Sequence, residues 1–156
     1  MDEWKLPWDG RCRCGKVTVR VTAAPLLASA CHCLGCRRMT SSVFSLTLTV
    51  PADGFEVTAG EPVIGGLHGA TQHLCCGRCL SWMFTKPDRF DSFVKLRPTL
   101  LDDQGWCRPF IEVWTRDRLP LASAPAVHGF ETEPALDGYG PLLEACAREG
   151  AKPDGT

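Results

Sequence analysis

Seven of the chain's ten cysteines fall into three tight groups: Cys12-x-Cys14, Cys31-His32-Cys33-x-x-Cys36 and Cys76-x-x-Cys79. Thiolates one or two residues apart on a turn suit Zn²⁺, which gathers sulfur at about 2.3 Å. A disulfide instead needs two Cα atoms roughly 4.4–6.8 Å apart with facing Cβ vectors. A structural zinc site closes with four protein ligands, whereas a catalytic one keeps three and leaves a position open. Cys12, Cys14, Cys76 and Cys79 supply four, and one shared zinc would close residues 15–75 into a loop, a fold-defining cross-link. Cys31, Cys33 and Cys36 supply three, so a fourth place belongs to water or to a substrate thiol, and this triplet is the expected working site. Two rival arrangements stay open: the tetrad as four buried thiols, and the triplet as a second structural site completed by His32, His73, Cys75 or Cys107.

The neighbours of the triplet carry further chemistry. In an extended segment the ring of His32 points away from the face on which Cys31 and Cys33 lie. It is therefore read not as a ligand but as a substrate contact, a hydrogen-bond donor behind the site or a core histidine. Arg37 and Arg38 follow directly, and their guanidinium groups can offset thiolate charge or hold a substrate carboxylate by paired hydrogen bonds. Cys75, Cys107 and Cys146 are read as packing, and so are Trp82, Trp106 and Trp114.

The elements that must position these residues are short strands. From Lys16 to Thr22, Val17, Val19 and Val21 alternate with polar residues, the mark of a half-buried strand, and Gly15 turns the chain just before it. Phe44 to Val50 repeats the pattern, with Phe44, Leu46, Leu48 and Val50 on one face and Ser45, Thr47 and Thr49 on the other. Shorter strands are expected at Phe55–Thr58, Gln72–Cys75, Ser81–Thr85 and Phe110–Thr115, with glycine and proline punctuation between them. A short C-terminal helix is expected from Pro141 through Cys146, stopping at Gly150. One domain is expected over residues 1–156, with a core of about 10–118 and an irregular wrap ending in that helix over 119–156.

Composition narrows the function. Seventeen basic and eighteen acidic residues give a formal net charge of −1, and no basic field exists to attract nucleic acid or an anionic membrane. The start, Met1-Asp2-Glu3-Trp4-Lys5, lacks the basic and apolar regions of a signal peptide, and no run of about 18 apolar residues occurs. A cytoplasmic protein is expected, in a reducing compartment where clustered cysteines serve metal better than disulfides.

Gly10-x-Cys12-x-Cys14-Gly15, then Cys31-His32-Cys33-x-x-Cys36-Arg37-Arg38 and Cys76-x-x-Cys79, followed by Leu101-Asp102-Asp103, Arg108-Pro109 and Glu112-Val113-Trp114-Thr115, occur in that order. Across most of its length the chain therefore resembles the glutathione-dependent formaldehyde-activating enzyme family, which includes centromere protein V. The resemblance implies a mainly β, β-tent type of fold, built of several small coiled antiparallel sheets with zinc-binding cysteine turns. It implies one structural zinc on the outer pairs and a second on the triplet. It also implies a carbon–sulfur lyase of the S-(hydroxymethyl)glutathione synthase type, which adds glutathione or a similar thiol to formaldehyde or another small aldehyde. Whether the chain forms a homo-oligomer is left open by the sequence. The alternative on the same fold is a non-catalytic, zinc-stabilised interaction module. The chain departs from the family pattern at Leu80, where glycine is usual, at Cys75, where an aromatic residue is usual, and over residues 63–69, which carry glycines in place of an aromatic.

Overall fold

The computed structural model describes residues 3–66 and 69–153, so the ends of the expected 1–156 domain and residues 67–68 lie outside the described residues. Eleven strands are described: β1 Trp8–Arg11, β2 Thr18–Val21, β3 Leu27–Cys31, β4 Ser45–Pro51, β5 Phe55–Ala59, β6 Pro62–Ile64, β7 Gln72–Cys76, β8 Trp82–Lys86, β9 Phe93–Leu96, β10 Ile111–Val113 and β11 His128–Gly129. Two helices join them, α1 Leu34–Thr40 and α2 Tyr139–Glu149. The fold is mainly β, with several antiparallel ladders, cysteine-bearing turns and a short C-terminal helix. Among the described residues no helix is long and apolar enough to cross a membrane.

The strands form a small sheet, β1-β2-β5, and a large one, β11-β10-β3-β4-β9-β8-β7-β6. The ladders are antiparallel except at β10, which runs parallel to both β3 and β11. The main core lies between the sheets. Val19 and Val21 of the small sheet and Leu48, Val50, Met83, Phe84 and Leu96 of the large one are almost wholly excluded from solvent. This accounts for the period-2 pattern of β2, whose Thr18 and Arg20 face outward, Arg20 pairing with Asp9 at 2.7 Å. Gly60 makes the close approach of the sheet ends possible. It sits at φ +75°, and a Cβ there would lie 2.3 Å from the Lys16 carbonyl oxygen.

On β4 the structure departs from the half-buried strand that alternation suggests. Leu48 and Val50 enter the core, but Ser45, Thr47 and Thr49 are buried as well. The opposite face of the large sheet is covered by α2, which packs Tyr139, Leu142, Leu143 and Cys146 against Leu27, Ile111 and Val113. The helix begins at Tyr139, two residues ahead of the expected Pro141. Proline is tolerated there because the first turn has no intrahelical use for its missing N–H.

Candidate functional site

Each cysteine group forms where a tight turn meets a strand end. Cys12 and Cys14 lie in the β1–β2 turn, where Gly15 N–H bonds the Cys12 carbonyl at 2.9 Å and Val17 N–H reaches Cys12 Sγ at 3.3 Å. Cys76 ends β7 and Cys79 lies in the β7–β8 turn, where Leu80 N–H bonds the Cys76 carbonyl at 2.9 Å. The four sulfurs lie within 4.8 Å of one another. Cys12 Sγ stands 3.6 Å from Cys14 Sγ, which is 3.7 Å from Cys76 Sγ. Tetrahedral ligands at 2.3 Å from a zinc ion stand about 3.8 Å apart, so the tetrad fits that metal. The Ser81 hydroxyl, 3.2 Å from Cys79 Sγ, holds that thiol down to about 5, favouring the thiolate a metal requires.

The second cysteine turn contains a strained residue. Leu80 adopts φ +60° and is 75% exposed, at the position where the sequence departs from glycine. A side chain in the left-handed region costs about 1–2 kcal/mol, part of which glycine returns as unfolded-state entropy. Leu80→Gly is expected to stabilise the zinc-loaded protein by about 1 kcal/mol, which thermal unfolding would register as a rise of roughly 2–4 °C.

Cys31 ends β3, Cys33 caps α1 and Cys36 lies within its first turn, where the Cys36 N–H bonds Cys33 Sγ at 3.3 Å. The three sulfurs lie within 4.8 Å of one another, and no His, Asp, Glu or further Cys joins them among the described residues. His73, Cys75 and Cys107, which could have completed a closed site, lie outside the group. Three clustered sulfurs fit a zinc ion that keeps one position for another ligand. A hydrogen bond from Cys31 does most to hold Cys36 below the ordinary thiol range, aided by Ser45, Cys33 and the charge of Arg97 and opposed by burial. Cys31 is correspondingly raised.

The triplet opens on a cavity of about 610 Å³. Its wall is one face of the large sheet: Leu27, Ser29 and Cys31 on β3, Ser45, Thr47 and Thr49 on β4, Phe93 and Lys95 on β9, Ile111 and Val113 on β10. Register aligns them in rows. Cys31 lies beside Ser45 and Val113, and His73, Thr85, Lys95, Thr49 and Leu27 run across five strands. The polar face of β4 is thus cavity wall, which is why it is buried. Trp114, Glu133, Leu136, Tyr139 and Leu143 close the far side. Glu133 is fixed there by Trp114 Nε1 (3.2 Å) and the Tyr139 hydroxyl (2.8 Å), both donating to its carboxylate. A second cavity, of about 670 Å³ and bordered by Phe55, Phe84 and Phe90, holds neither of the cysteine clusters that could bind a metal.

None of the three residues singled out beside the triplet lines this cavity. His32, just past the end of β3, is fully buried away from the cavity, with Nε2 2.9 Å from Glu112 Oε2, and Arg118 holds the second oxygen of that carboxylate. Arg37 donates from Nε to the His32 carbonyl at 3.1 Å, and Arg38 is exposed. The cavity's guanidinium belongs instead to Arg97, which follows β9. Trp82, read as packing, forms part of the lining and lies under that guanidinium, 3.9 Å from ring centroid to Cζ. His73 Nδ1 stands 3.0 Å from Thr85 Oγ1, which accepts from Trp82 Nε1 at 3.1 Å. Thr85 Oγ1 thus joins the Trp82 indole to the His73 ring on the cavity wall. Burial, and then the charge of Arg97, hold His73 below the ordinary imidazole range, so the ring is neutral at pH 7.

Two mainly antiparallel sheets, a cysteine tetrad between them and a cysteine triplet on a cavity define a mainly β protein whose cysteine clusters could hold zinc. Residues 7–117 match the model of the glutathione-dependent formaldehyde-activating enzyme family, and the chain belongs to that family. Membership supports a glutathione-dependent formaldehyde-activating function at family level, with thiols and aldehydes as substrate classes, in a family generally enzymatic and of the carbon–sulfur lyase type. The fold is also similar to a crystal structure of a Rhodobacter sphaeroides protein, with a TM-score of 0.50 and 20% identity over 60% of this chain and 87% of that one. The family match ends before Glu133, Leu136, Tyr139 and Leu143, so part of the cavity wall lies beyond it.

Proposed function

We propose that this protein is a zinc-dependent carbon–sulfur lyase of the S-(hydroxymethyl)glutathione synthase type, joining glutathione or a similar thiol to formaldehyde or another small aldehyde. The observation that carries the reading is the contrast between the groups: four sulfurs saturate one site, while three open on a cavity large enough for a small peptide. In this reading Cys12, Cys14, Cys76 and Cys79 hold a structural zinc, and Cys31, Cys33 and Cys36 hold a second. Zinc at the triplet supplies an open position and lowers the pKa of a thiol placed there. The chain's own residues do the rest. Cys31, Cys33 and Cys36 fix where the thiol sulfur sits, and Ser29, Ser45, Thr47 and Thr49 offer hydroxyls along the wall. The overall addition loses a proton from the thiol and gains one on the carbonyl oxygen, giving a hemithioacetal. The thiol proton leaves to solvent and the carbonyl oxygen takes one from solvent, while neutral His73 is assigned to orient that oxygen by a hydrogen bond and not to protonate it. His32, Arg37 and Arg38 act behind the triplet, tying its loop to β10 and to solvent. Ten unpaired cysteines support a reducing, cytoplasmic setting.

Zinc stoichiometry combined with thiol titration tests the proposal. Two zinc ions per chain are expected, one of them perturbed by glutathione, seen as a spectral shift in the cobalt-substituted protein. One metal and three inert thiols would assign the chain to the non-catalytic module instead.

A further inference from the structure

Among the described residues Arg97 has no carboxylate partner, although the fold has put it almost out of water. It is 7% exposed, and among those residues its Nε and Nη1 have no hydrogen-bond partner. Its backbone is pinned on both sides: Pro98 restricts it to the extended conformation, and its N–H bonds the Met83 carbonyl at 2.9 Å. The side chain therefore shares the cavity face with Lys95, two residues earlier, and is propped on the ring of Trp82. The acids bordering the same cavity are engaged elsewhere, Asp88 with Arg89 at 3.4 Å and Glu133 with Trp114 and Tyr139. A buried guanidinium with two idle donors is expensive unless an anion arrives to use them. The thiolates of the triplet give it a favourable field but no hydrogen bond among the described residues.

We propose that Arg97, with Lys95 at the cavity mouth, is an anion-binding subsite that holds a carboxylate of the thiol substrate while its sulfur sits at the triplet. The inference rests on the thiol–aldehyde reading and names its substrate class more closely: carboxylate-bearing thiols over neutral ones. Arg97 is then a specificity-determining residue, separate from Arg37 and Arg38, which do not line the cavity.

Calorimetric titration of the zinc-loaded protein with 3-mercaptopropionate and with its methyl ester tests the subsite. A charge-assisted pair of hydrogen bonds corresponds to a preference of about tenfold or more for the free acid. Arg97→Gln should reduce that preference to less than about threefold while leaving the affinity for the ester nearly unchanged, and Arg97→Lys should keep part of it. A wild-type protein that binds acid and ester alike, or an Arg97→Gln protein that still discriminates, overturns the proposal. So does loss of one zinc equivalent in Arg97→Gln, because the guanidinium then serves the thiolates. Propionate, which has no sulfur, separates this inference from the one beneath it. It should bind wild type and not Arg97→Gln whether or not thiols reach the triplet, and equal binding to both proteins sinks the subsite alone.

Discussion

Cys12→Ser is expected to destabilise the whole protein by roughly 5 kcal/mol, lowering the melting temperature by about 10–20 °C. The effect is large because of what the tetrad joins. Cys12 and Cys14 lie in a turn of the small sheet, Cys76 and Cys79 at a turn of the large one, and a metal shared by the four would clamp the two sheets at the edge of their common core. Cys12 and Cys76 are each 1% exposed, so a hydroxyl replacing either thiol is a poor ligand and a buried polar group at once. Val17 N–H also loses its sulfur acceptor, the contact that shapes the turn. Urea or thermal unfolding of the zinc-loaded variant measures the loss, and a chelator should bring wild type towards the same stability. A change below about 1 kcal/mol would identify the four thiols as ordinary core packing.

The cysteine turns and the alternating strands were legible because both are local signals. Spacing of one or two residues needs only a tight turn to bring sulfurs together, and β2 shows its two faces in consecutive residues. What escaped depends on distant chain. In β3, Leu27-Ala28-Ser29-Ala30-Cys31 carries small residues buried on both faces, so no alternation marks it. Helix α1 buries no residue and is set by the Cys33 cap, which leaves no apolar stripe in the sequence. Strand β9 and the residue after it do alternate, with Phe93, Lys95 and Arg97 against Val94 and Leu96, but a charge on a cavity face reads as solvent-facing until the opposite wall is known. Much of that wall comes from residues 119–156, read as an irregular wrap ending in a short helix, and the local pattern that marks the helix does not tell that α2 and Glu133 border the cavity. The substrate end of the site was therefore hidden for the same reason the polar face of β4 was: a concave sheet face keeps polar residues dry.

Cys33→Ser separates the two cysteine groups most sharply, because here function should vanish while the fold survives. Cys33 contributes one of only three sulfurs, and losing it leaves too few thiolates to retain a zinc ion that still accepts a substrate. Its structural duty is light. It caps α1 by accepting the Cys36 N–H, and serine is among the best residues for that position, so the seven-residue helix keeps its start. The residue is only half-buried and lies outside both apolar cores, which limits the packing loss. The expected result is one zinc per chain in place of two, glutathione binding reduced at least a hundredfold, and a melting temperature within about 4 °C of wild type. Parallel zinc analysis, calorimetry and thermal unfolding read all three. If Cys33→Ser unfolds as severely as Cys12→Ser, both groups are structural, and the cavity beside the triplet is not where thiol and aldehyde meet.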